Sequence, residues 1–150
     1  MLSGRELRGL IVYAGLQREV AGRVRDVYVE EPSGAILGLA IEATGLRPRS
    51  LYVELAAVQE ISKNGVIGPN KKSLKSPPKG LESVSQKGWL GSRLLDERGQ
   101  DKGTVADILV KNGRISGLEI SAGILSDLQS RRDFLPWEQV SAGEGIFTLS

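Results

Sequence analysis

The sequence predicts an all-β protein made of two tandem small barrels. Three observations carry that prediction: one strand–turn–strand phrase is written twice, short β-rich runs are punctuated by turn residues, and the repeated strand places apolar residues on both of its faces. The first copy of the phrase is Gly22-Arg23-Val24-Arg25-Asp26-Val27-Tyr28-Val29, a turn, then Gly38-Leu39-Ala40-Ile41. The second is Gly103-Thr104-Val105-Ala106-Asp107-Ile108-Leu109-Val110, a shorter turn, then Gly117-Leu118-Glu119-Ile120. A repeat of this length divides the chain into residues 1–67 and 85–150, with a linker at 68–84.

Each copy opens on a short turn. Ser3-x-x-Glu6 has the spacing of a capping box and predicts a helical turn through Leu7 and Arg8. Ser85 begins the second copy, where Trp89 matches Leu7 and Gly91 matches Gly9. Leu10 to Tyr13 is a short β-rich run, and Arg93 to Leu95 is its counterpart. Polar turns then lead into the long strands at Gly22 and Gly103. In the first of these, Val24 and Tyr28 share one parity with Asp26, while Val27 and Val29 take the other. That pattern predicts a strongly bent strand with a bulge near the Asp. Asn112-Gly113 is a tight hairpin signal, because both central positions of such a turn need positive φ; Glu31-Pro32-Ser33-Gly34 does the same work in the first copy. Each copy closes with two more short elements. These are Leu51 to Val58 and Val66-Ile67 in the first, Phe134 to Val140 and Ile146 to Leu149 in the second. Pro136 places its strand at an edge, and Trp137 to Val140 fits one helical turn.

Charge is unevenly spread. Residues 1–67 carry eight basic and eight acidic residues, 68–88 carry five lysines against Glu82, and 89–150 carry seven basic and nine acidic. The positive excess therefore sits at the joint. Its Pro, Gly, Ser and Lys content is that of a linker with too little apolar surface to order itself. The sequence leaves open whether the barrels hang on this linker or pack together as a pseudo-symmetric pair.

Composition narrows the function classes. With no cysteine and no histidine, the chain offers no thiolate nucleophile, no disulfide and no imidazole base or ligand. The carboxylates are scattered beside basic residues. The glycines follow neither phosphate-loop spacing nor the dinucleotide fingerprint. The expectation is a protein without catalytic residues, cofactor or metal. The longest apolar run, Leu10 to Ala14, is far short of the ~20 residues of a membrane span. The N-terminus has no signal-peptide pattern. A cytoplasmic location is expected, with a place at the periphery of a membrane complex as the alternative.

The order of these elements, ending in Leu135-Pro136-Trp137-Glu138-Gln139-Val140 and a closing strand, resembles the PRC-barrel. This is the small β-barrel of the photosynthetic reaction-centre H subunit and of the small-subunit ribosome maturation factor. The resemblance runs through both copies. The first departs at Val53-Glu54-Leu55-Ala56, which lacks the proline and tryptophan. It implies a scaffolding or assembly protein without catalysis. It also implies, as alternatives, an RNA- or ribosome-associated factor or a peripheral regulator of a photosynthetic or other membrane complex.

Two groups of residues stand out as sites. Gly22, Asp26, Gly38, Gly103, Asp107 and Gly117 recur at matched positions. They read as structural, with the Asp side chains bonding backbone amides at the bend and the glycines permitting close chain crossing. Arg131 and Arg132, with Phe134 and Trp137, pair guanidinium groups with aromatic rings as protein interfaces do, and Arg47 and Arg49 are their basic counterparts in the first copy. These six are the candidate partner-binding residues. A protein partner is expected, with RNA or a second copy of the chain as alternatives. Trp137 as a barrel plug is the competing role.

Overall fold

The computed structural model describes the chain except residues 46, 48, 82–84, 122–131, 144–145 and 150, and the structural statements below concern the described residues. The chain opens with β1 (Leu2–Ser3) and α1 (Gly4–Leu7). The capping box forms as the sequence predicts: Glu6 N donates to Ser3 Oγ at 3.0 Å and Ser3 N to Glu6 Oε1 at 3.0 Å.

The first sheet is made of β2 (Ile11–Ala14), β3 (Glu19–Val29), β4 (Ile36–Ala43), β5 (Arg49–Glu54), β6 (Glu60–Ser62) and β7 (Gly65–Gly68), in the order β5-β4-β3-β2-β7-β6. The second is made of β8 (Arg93–Leu95), β9 (Asp101–Lys111), β10 (Arg114–Ser121), β11 (Arg132–Pro136), β12 (Val140–Gly143) and β13 (Ile146–Leu149), in the order β11-β10-β9-β8-β13-β12. The two orders are the same, down to the parallel pairings of β2 with β7 and β8 with β13. The fold is all-β, in two similar halves, each a small barrel-like sheet.

The bulge near the Asp explains the mixed parity. In β3 the buried side is Val24 and Asp26, then Val27 and Val29; the pairing with β4 slips between Val24 and Asp26. In β9 it is Val105 and Asp107, then Ile108 and Val110, with the slip at the matching place. One extra residue turns the next side chain inward, so the strand lines the interior on both sides of its bend. Asn112 and Gly113 take φ values of 52° and 75°, as their hairpin requires.

The two halves pack as a pseudo-symmetric pair. β1, from the start of the first copy, joins the second sheet, with Leu2 opposite Val110 and Ser3 opposite Leu109. The matched Ser85, from the start of the second copy, bridges to Tyr28 of the first. The hairpin tips meet reciprocally: Ile36 N donates to Gly113 O at 3.1 Å, and Ile115 N donates to Gly34 O at 2.7 Å. Above each tip lies the element that follows the other copy's edge strand. Trp137 covers Gly34 and Leu55 covers Gly113, so that a Cβ would meet the Trp137 ring at the first and the end of the Leu55 side chain at the second.

This packing answers a question the sequence left open and corrects one expectation based on composition. The halves pack together, and their buried apolar residues form one cluster, from Leu7 and Val27 to Ile108 and Phe147. The linker is held at Leu74 and Lys75. Leu74 is buried, and Lys75 exchanges two backbone hydrogen bonds with Tyr52, at 2.7 and 3.2 Å. A single aliphatic residue and a free sheet edge supply the order that linker composition alone does not.

Candidate partner-binding surface

The repeated Asp residues are buried, Asp26 at 7% and Asp107 at 1% exposure. Asp26 Oδ1 accepts from Val27 N, and Asp107 Oδ1 from Ile108 N, both at 2.8 Å. These are the expected local bonds. The other oxygen of each carboxylate reaches across to the other half. Asp107 Oδ2 accepts from Arg5 N at 3.2 Å, with Arg5 Nε 3.8 Å away, and Asp26 Oδ2 accepts from Ser85 Oγ. Each Asp therefore bends its own strand and clasps the opening turn of the other copy. Sequence reasoning found the first role and missed the second. The signal was present, since Ser3 and Ser85 recur in step with Asp107 and Asp26.

The glycines act by close approach. A Cβ on Gly22 would strike the Glu42 carbonyl oxygen. On Gly38 it would strike the Val53 carbonyl and the Tyr52 ring, and on Gly117 the Leu135 carbonyl and the Phe134 ring. An aromatic ring from the edge strand thus lies over a glycine of its neighbour in both halves.

The edge strands are where the halves differ. β5 and β11 hold the same register, with Tyr52 opposite Ala40 and Phe134 opposite Glu119. Tyr52 is 8% exposed, its backbone paired with Lys75 and its ring 6.0 Å from that of Tyr28. Burial, then the nearby Glu54 and Tyr28, push its phenol above the ordinary range. Phe134 is 51% exposed, and no described strand pairs with the outer side of β11. Arg47 and Arg49 are exposed at the start of β5. Arg132 begins β11, and Arg131 lies outside the described residues. Trp137 is half-buried: its ring stacks on Trp89 at 5.5 Å and 14°, and Trp89 in turn meets Phe147 at 5.0 Å. The structure thus sets Phe134 and Arg132 on one edge, Arg47 and Arg49 at the other, and Trp137 against the junction of the halves.

The clefts are shallow and mixed in character. One of about 430 Å³ lies between the halves, lined by Leu2, Leu55, Val58, Ile61, Val110 and Lys111 among others. Among the described residues, no three carboxylates converge as a metal site would require, and no helix is long and apolar enough to cross a membrane.

The family match agrees with the duplicated architecture. No curated protein matches the chain. A crystal structure described as that of a 16S ribosomal RNA processing protein, RimM, from Pseudomonas aeruginosa aligns over 96% of this chain and 95% of that one, at 16% identity and a TM-score of 0.34. Residues 1–74 and 84–150 each match the PRC-barrel domain. The chain belongs to the PRC-barrel domain family, of which it carries two copies in tandem.

Proposed function

We propose that the chain is a non-catalytic protein-binding module, an assembly adaptor that docks a partner on the open edge of its second barrel. One observation carries this reading. The same sheet position is 8% exposed in the first copy, at Tyr52, and 51% exposed in the second, at Phe134. A half-exposed Phe leaves about 100 Å² of apolar ring in water, and covering it would contribute about 2.5 kcal/mol to binding. The joined halves supply a stiff platform, so little ordering opposes association. Crosslinking in cells followed by mass spectrometry tests the proposal. One protein should be recovered repeatedly with the native chain and lost with Phe134→Ala. Recovery of no protein overturns the reading. Salt-sensitive co-sedimentation with ribosomal particles would replace it with an RNA-associated role.

A further inference from the structure

The geometry points to strand addition at β11 as the mode of docking, and to an extended, basic–aliphatic segment as the occupant. This rests on the protein-binding reading above and specifies its chemistry. The template is the chain's own linker. Lys75 pairs antiparallel with Tyr52 and exchanges two backbone hydrogen bonds with it, so Tyr52 turns both its N–H and its C=O away from the sheet. Continuing that register sets Leu74 opposite Val53 and Ser76 opposite Leu51, and Leu74, Val53 and Leu51 are all buried. Phe134 holds the Tyr52 register on its own sheet, so its N–H and C=O face outward in the same way. Such an edge is a ready template for another strand.

The differences between the copies define the occupant. Leu135 stands where Val53 stands and packs against the core cluster. An aliphatic residue should therefore lie opposite it, as Leu74 does in the first copy. Asp133 stands where buried Leu51 stands, and it is exposed. The residue opposite Asp133, two positions after the aliphatic one, should carry a positive charge. The partner motif is thus aliphatic–x–basic, read antiparallel to β11, with its middle residue paired to Phe134.

The test uses the full chain and two fluorescent decapeptides that differ at one position, Ser-Leu-Lys-Arg or Ser-Leu-Lys-Glu at their centre, followed by anisotropy. The Arg peptide should bind about tenfold more tightly than the Glu peptide, and Asp133→Lys should reverse that order. Phe134→Pro removes the outward N–H together with the ring, and Phe134→Ala removes the ring alone; both suit an edge strand, and the Pro variant should bind the Arg peptide about tenfold more weakly than the Ala variant, with the melting temperature retained. If Phe134→Pro unfolds the chain, N-methylation of the peptide's middle residue removes the matching bond from the other side, with the same loss expected. Equal binding of the two peptides, binding unchanged in these variants, or no binding overturns the inference. So does a native dimer that Phe134→Pro converts to monomer, because a second copy would then hold the edge. A cellular partner lost equally with Phe134→Ala and Phe134→Pro and kept with Asp133→Lys would leave the adaptor reading standing and remove strand addition.

Discussion

Asp107→Asn probes the clasp between the halves. The replacement has almost the same shape, so packing is preserved while the hydrogen bonding changes. In the native chain both carboxylate oxygens are used, one by Ile108 N at 2.8 Å and the other by Arg5 N at 3.2 Å, at a site only 1% exposed. An amide keeps one oxygen and presents an NH2 group to the second N–H donor. One buried N–H then loses its acceptor, and the bond that remains loses its charge. An unsatisfied buried donor costs about 1–3 kcal/mol, and bonds to charged groups are worth about 1.5–3 kcal/mol, so a loss of about 3 kcal/mol is expected. For a chain of this size, that lowers the melting temperature by about 6–12 °C. Calorimetry gives the size of the effect, and hydrogen exchange gives its location. The Arg5 amide should exchange faster while the Ile11–Ala14 strand stays protected. A deletion of residues 1–5 should be strongly non-additive with Asp107→Asn, since both remove the same clasp. An unchanged melting temperature, or simple additivity of the two changes, would refute the reasoning. So would loss of a partner at full stability, because the carboxylate would then be a binding group.

Three further outcomes follow from the geometry. Gly38→Ala should destabilise by about 1–3 kcal/mol through overpacking, and Gly117→Ala by less. The Tyr52 ring is buried, 6.0 Å from the Tyr28 ring, and bonds Leu37 O at 3.3 Å, while the Phe134 ring is half-exposed and yields at less cost; paired urea titrations compare them. Leu74→Ala should cost about 2 kcal/mol and release the linker, seen as faster exchange of the Tyr52 and Lys75 amides with the second barrel unaffected. The pH profile should fall at both ends. Glu6, through its hydrogen bonds to Ser3, and Asp101, through Gly103 N–H and then Arg93, are held below the ordinary carboxylate values of 4.5 and 3.8. Their stabilisation is present above those values and lost as pH falls through the depressed ones. Tyr52 is raised by burial above its ordinary 10.0, so its contribution is present below that pH and lost as pH climbs past it. Tyr52→Phe should remove the alkaline loss in a urea midpoint series and leave the acid one.

Much of the fold was legible because it is local. Asn112-Gly113 forms its hairpin from backbone preferences confined to two residues. The parity switch after Asp26 and Asp107 betrays a bulge because side chains alternate strictly along a strand. Ser3 and Glu6 cap their turn within one short stretch of chain. The repeat itself settled that there are two like halves.

Tertiary structure decided what depends on residues far apart in the chain. Nothing in the phrase around Asp107 says that its second oxygen will hold the Arg5 amide. That bond exists only because the hairpin tips bring the halves together and carry each opening turn to the other sheet. Tyr52 and Phe134 likewise read alike, as aromatic residues of matched edge strands. The linker seats Leu74 and Lys75 on the first edge and Tyr52 meets the Tyr28 ring, so one ring is covered while its twin stands half-exposed. Alternation and turn chemistry report which way a side chain points; what it meets is set by the packing of the whole chain.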